Sequence, residues 1–200
     1  PFARYADDGI LHCKTETQAK QLREQLAERL KDCGLEMHPQ KTRVVYCKDS
    51  RRTQAYEHTQ FDFLGYTFRP RRVASRHGQI FTGFTPAVSR QAMKAMRQSL
   101  RQRRVFKHSE LSLDQLAALL ASPIRGWMAY YCRFRGSEFQ VIAKYIDHSI
   151  VRWAMRKYKR LRGHQQRAFA WLNRLKRKSP ALFPHWCGRG GFAVGTTGAR

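Results

Sequence analysis

The sequence predicts an α+β fold: a small sheet with one packed helix over residues 1–70, then an all-α region. Three observations carry this. The acidic pair in "YADDG", residues 5–9, lies between short apolar runs, as a hairpin turn does. Ala19, Leu22, Leu26, Leu30 and Cys33 recur at steps of three and four, the spacing of one helix face. From Thr85 onward the apolar residues follow helical periods throughout.

Residues 2–6 read as a strand, Asp-Gly at 8–9 as its turn, and "ILHC", 10–13, as the return strand, with Gly9 supplying positive φ. Phe2, Tyr5, Ala6, Ile10 and Leu11 make both strands look buried. Thr15 and Gln18 have capping-box spacing, and Gly34 suits the helix C-terminus, with Leu35 packing back onto it. "HPQKT", 38–42, is a turn and "RVVYC", 43–47, a β-branched strand. "FDFLGYTFRP", 61–70, is a strand pair bent at Gly65. A basic connector over 71–84 holds a short strand at "QIFTGF".

Thr85 and Pro86 then suit a helix start, and the helix runs to Arg104. Ser112 and Gln115 form a second capping box. Pro123 is expected to end that helix and begin another. Ser137 starts a long helix with Phe139, Ile142, Ile146, Ile150 and Trp153 on its buried face, and residues 165–178 make a further helix. The expected divisions are 1–70, a connector with a first helix over 71–110, a helical domain over 111–192, and a disordered tail at 193–200.

The net charge of +25 arises from 39 Lys and Arg against 14 Asp and Glu, in a chain 42% hydrophobic and so able to fold. Self-repulsion on that scale calls for a polyanionic partner, and nucleic acid is the first expectation. The charge is divided unevenly. Residues 1–62 hold 10 acids and 11 Lys or Arg, and residues 63–200 hold 4 and 28. The acids therefore sit in a near-neutral head and the phosphate-binding potential in a basic body. Within that body Arg90, Lys94, Arg97, Arg101 and Arg104 recur along one helix face without any acid between them. A merely solvated face usually mixes signs. Arg152, Arg156, Lys157, Lys159 and Arg160 form a second basic run suited to RNA. Trp127, Tyr130 and Tyr131 could stack on bases, but Ile124, Trp127, Met128 and Tyr131 share a helical face and read better as core.

Five scattered cysteines without a CxxC pair read as reduced thiols. No apolar run is long enough to span a bilayer, and no membrane partner is expected. The chain opens at Pro1 rather than Met, as a fragment would.

Asp7 and Asp8, adjacent at a hairpin tip, repel each other, and a divalent cation relieves that repulsion. Mg²⁺ takes one or two carboxylates with phosphate oxygens and water. Nucleotidyl transfer uses two such ions. A plain polar turn would account for "DDG" alone, but not for its apolar flanks and the basic body that follows.

The order "YADD" (5–8), "GLEMHPQKT" (34–42), "FDFLGY" (61–66), "GWMAYY" (126–131) resembles group II intron-encoded reverse transcriptase/maturases along essentially the whole chain. That resemblance implies the end of a palm, a thumb and a maturase region of a larger RNA-directed DNA polymerase that also assists splicing. It implies that Asp7 and Asp8 hold two Mg²⁺ ions with a third Asp from an earlier strand, lying N-terminal to this chain. Tyr5 and Ala6 would lie beside the primer end and the incoming dNTP. Lys41 would contact pyrophosphate, and Phe63, Leu64, Gly65 and Tyr66 would form the primer grip. The implied partners are structured intron RNA and an RNA template with a DNA primer, in a bacterial cytoplasmic ribonucleoprotein of a mobile element. The fragment alone would be inactive. His185 and Cys187 lack a second ligand pair, so no zinc nuclease is expected. Two other readings are a splicing maturase without polymerase activity and a retron or diversity-generating reverse transcriptase. The helical stretch 111–186 favours the intron type over the latter.

Overall fold

The computed structural model describes residues 1–52, 54–75 and 77–189; the expected tail at 193–200 lies outside them. The architecture is mixed α and β, as expected. Strands β1 (Phe2–Tyr5) and β2 (Asp8–Leu11) form an antiparallel hairpin, and β3 (Phe61–Phe63), β4 (Tyr66–Ala74) and β5 (Ile80–Val88) a sheet in that order. The helices are α1 (Glu16–Asp32), α2 (Arg90–Gln102), α3 (Leu113–Lys157) and α4 (Gln165–Lys178). Two compact units result. One comprises Pro1–Phe63 with Phe68–Thr85; the other comprises Leu64–Thr67 with the chain from Pro86 onward.

In the N-terminal unit, α1 begins at Thr15, whose hydroxyl accepts from Gln18 N at 3.2 Å. The reciprocal bond goes from Lys14 N to Gln18 Oε1 at 2.9 Å, one residue before the cap. At its other end Gly34 is left-handed (φ 72°), with Gly34 N bonded to Lys31 O and Leu35 N to Leu30 O. That is a Schellman closure, but the Leu35 side chain stays exposed instead of packing back. Residues 43–47 do not form the expected strand. Their backbone is irregular, and Tyr46 N donates to His58 O, a single rung that cannot build a ladder. Tyr46 stacks on Tyr56 at 4.2 Å, and Phe61 on Phe68 at 4.9 Å. None of the described apolar side chains of this unit is fully buried, and α1 buries nothing.

The helical unit holds the core. Leu116, Leu120, Ile124, Phe139, Ile142, Ile146, Ile150, Trp153 and Phe183 are completely enclosed. The expected start at Thr85–Pro86 is overturned: both lie in β5, and Ser89 caps α2, accepting from Ala92 N at 3.0 Å. β5 is an edge strand, where a proline without an N–H is tolerated. Arg104 leaves the expected helix for a left-handed conformation (φ 51°), so the stripe on α2 ends at Arg101. Ser112 and Gln115 make the full capping box of α3. Pro123 does not end that helix, and the helical segment expected from Ser137 resumes within two residues of that position, after a kink. The break falls at Arg135 (φ −140°, ψ 82°). Residues 120–127 keep one apolar face on the core across Pro123, and this burial outweighs the one hydrogen bond that the ring removes.

Candidate active site and nucleic-acid interface

The acidic hairpin turns two residues earlier than its Asp-Gly pair suggests. Ala6 and Asp7 occupy the turn, with Ala6 at φ 51°, and Asp8 already belongs to β2, opposite Tyr5. Positive φ at the first turn residue only is the II′ type, which suits the twist of a two-residue hairpin. Gly9 therefore supplies no positive φ. A Cβ there would meet only the Phe2 ring, at 3.4 Å. Arg4 Nε donates to Ala6 O at 2.8 Å and braces the turn, a role with no sequence signal. Asp7 thus stands at the tip, and Asp8 one residue on, beside Tyr5 on one face of the ribbon. Both carboxylates are exposed, and so are Phe2, Tyr5 and Leu11, contrary to the buried strands expected.

Lys41 lies in the turn after α1, where His38 O accepts from both Lys41 N and Thr42 N. It makes no ion pair with Asp7 or Asp8. Among the described residues no cluster of three or more His, Cys, Asp or Glu is present. The donor set at the tip is thus two carboxylates, which suits Mg²⁺ completed by phosphate and water rather than a caged ion.

Leu64 and Gly65 form the turn between β3 and β4, with φ of 50° and 77°, the I′ geometry. Both turn carbonyls are occupied. Tyr130 Oη donates to Leu64 O at 2.9 Å, and Ser89 N donates to Gly65 O at 2.9 Å. A Cβ at Gly65 would lie 2.7 Å from the Tyr131 hydroxyl. The room that this glycine leaves, expected for a primer strand, is therefore filled by Tyr131. Tyr66 packs its ring against Tyr130, Tyr131 and Phe134 and donates its hydroxyl to Tyr130 O. Burial, reinforced by the neighbouring Tyr130 and Tyr131, pushes Tyr66 up to about 12. Burial likewise takes the Cys132 thiol up to about 11, which disfavours a thiolate there. "FLGY" and "GWMAYY" are thus interlocked. Sequence reading missed this, because the two motifs are more than sixty residues apart.

On α2, Arg90, Lys94 and Arg101 are exposed and Arg97 half-exposed, while Met96 and Leu100 enter the core. The row is free of acids over about 17 Å. The second basic run is partly occupied. Arg156 donates to Phe106 O, Lys157 Nζ to Ser109 O at 2.8 Å, and Arg152 to Ser149 Oγ at 3.2 Å. Lys157 also lies over the Trp153 ring. Arg156 and Lys157 tie the 105–109 connector to α3, which sequence reasoning missed. Lys159 and Arg160 are exposed on a short 3₁₀ turn. Trp127 and Tyr131 pack on the core, as expected, and Tyr130 is half-exposed.

A partly buried ionic group lies apart from these surfaces. Asp147 accepts from Trp186 Nε1 at 2.9 Å, from His185 Nε2 at 3.1 Å and from Lys176. Burial alone would raise its carboxyl, but these donors hold it below the ordinary range. His185 is thereby a structural partner of Asp147. Asp147, one of four acids in the basic body, was the available signal.

Comparison with known families agrees with this geometry. The family model for reverse transcriptase (RNA-dependent DNA polymerase) matches residues 1–68, from the acidic hairpin into β4. That for the group II intron maturase-specific domain matches residues 93–171, from α2 into α4. With both regions in this order, the chain belongs to the group II intron reverse transcriptase/maturases. No curated protein and no solved structure matched it. No helix among the described residues is long and apolar enough to cross a membrane.

Proposed function

We propose that this chain serves an RNA-directed DNA polymerase of group II intron type that also grips intron RNA and assists its splicing. The observation that carries the proposal is the II′ hairpin, which presents Asp7 and Asp8 to solvent ahead of a basic helical body. Asp7 and Asp8 would hold Mg²⁺, which supplies activation of a primer 3′-hydroxyl and neutralisation of the departing pyrophosphate. Tyr5 shares the face of Asp8 and would border the nucleotide. Lys41 is the candidate pyrophosphate contact. The Leu64–Gly65 turn would meet the primer through its exposed Leu64 edge, since Tyr130, Tyr131 and Ser89 occupy its other contacts. The row Arg90–Lys94–Arg97–Arg101 and the exposed Lys159 and Arg160 would take RNA phosphates.

The test is primer extension on an RNA template alongside RNA binding, with the full-length protein. Asp7→Asn and Asp8→Asn should each abolish DNA synthesis and leave RNA affinity intact. Loss of both activities would make the hairpin structural. Replacing Arg90, Lys94, Arg97 and Arg101 together by Glu should weaken binding and reduce the salt slope by about 3. An unchanged slope would mean a solvated face.

A further inference from the structure

We propose that the groove between the last turns of α3 and the start of α4 captures a single unpaired nucleotide of the bound RNA. This rests on the RNA-binding reading above and gives it a chemistry that phosphate contacts alone do not supply. Two adjoining surface concavities of about 350 and 520 Å³ share Arg152 and Met155 in their lining. Both are open to solvent rather than enclosed.

Its floor is apolar, made by Val151 and Met155. Its walls are aromatic. His148 is held edge-on by Phe169 at 4.9 Å, and the Tyr145 hydroxyl accepts from Arg101 Nε at 3.2 Å. Arg162 rims one end, beside Arg156 whose guanidinium is engaged by Phe106 O, and Gln165 the other, and no acid lines either concavity. Guanidinium groups suit phosphate, flat rings and guanidinium planes suit a base face, and a carboxamide suits a base edge. Duplex RNA presents its phosphates outward and has no use for a recess with an apolar floor; an unstacked base does. The Arg101 contact on Tyr145 also joins the end of the α2 row to the groove, through hydrogen bond and ring (5.9 Å) alike. Phosphates held along α2 would thus lead to the recess.

The test compares two probes on the full chain: a fluorescent single-stranded 12-nucleotide RNA and the same sequence as a blunt duplex. Met155→Trp fills the recess without changing charge. His148→Ala removes one ring of the wall at an exposed position without changing formal charge and serves if the filled variant fails to fold by circular dichroism. Either variant should lower single-strand affinity about tenfold, the worth of one stacked base, and duplex affinity less than threefold. Met155→Trp should also leave the salt slope unchanged. Equal loss on both probes, or no loss on either, overturns the groove while RNA binding stands. If the unaltered protein binds neither probe, the RNA-binding reading falls with it.

Discussion

The two units of this chain differ in what holds them. The helical unit encloses Trp153, Phe139 and Phe183 completely, and its four acids serve a basic body of opposite sign. The N-terminal unit carries the acidic hairpin, yet Phe2, Tyr5, Leu11, Leu26 and Leu35 stand exposed, and none of its described apolar side chains is fully buried. Apolar burial is the main favourable term in folding. The helical unit therefore has its own source of stability. The N-terminal unit is held by local devices: the II′ turn with its Arg4 brace, the Thr15 cap and the Schellman closure.

The largest effect expected from this contrast is at Phe139, wholly enclosed in α3. Phe139→Ala should destabilise the helical unit by about 4 kcal/mol, read as a drop in urea midpoint at constant slope. A cost below about 1 kcal/mol would break the contrast, because that core would then carry little.

Asp147→Asn should cost on the order of 2 kcal/mol, as the His185, Lys176 and Trp186 donors lose a charged acceptor. It should also flatten the acid limb of stability. Asp147 titrates below its ordinary range in the folded chain, so its stabilisation is complete above that range and fades as pH falls through the depressed one. Stability curves for the parent and the variant between neutral and acid pH should converge at the acid end. Parallel curves would mean that the carboxylate is not the source.

Gly65→Ala forces φ 77° on a residue with a Cβ and sets that atom 2.7 Å from the Tyr131 hydroxyl. The left-handed conformation alone costs about 1 kcal/mol. Tyr131→Phe removes the clashing oxygen, so the double variant should recover part of the loss. Full additivity of the two changes in a double-mutant cycle would show that the turn and α3 are not in contact.

The smallest effect should come from Leu22→Ala, in the middle of α1. With no enclosed partner, the change should cost less than about 1 kcal/mol, and hydrogen exchange of α1 amides should barely quicken. A loss as large as that at Phe139 would show that α1 shares a cooperative core with the rest of the chain.

The contrast also marks what could be read in the sequence. The Thr15 cap, the Ser112–Gln115 capping box, the Gly34 closure, the buried stripe from Phe139 to Trp153 and the helix at 165–178 were all legible, because each depends on residues within a few positions of one another. The cationic row on α2 was legible for the same reason. The strand at 43–47 was misread, because β-branched residues favour extension but need a partner to make a ladder. Burial of the acidic hairpin was misread likewise, since alternation says which side chains share a face and not what covers it.

Asp-Gly and Pro123 mark the limit most clearly. By itself the sequence determined an α+β head, a helical basic body, the order of four motifs and the adjacency of Asp7 and Asp8. Periodicity, capping and charge are local quantities. The tertiary structure decided that the hairpin turns at Ala6–Asp7, that α3 runs through Pro123 and breaks at Arg135, and that Tyr131 fills the space at Gly65. It also decided that Arg156 braces the connector while Lys159 and Arg160 stay exposed. Those outcomes depend on residues distant in the chain competing for the same backbone groups and the same space, and that competition is settled only when the core packs.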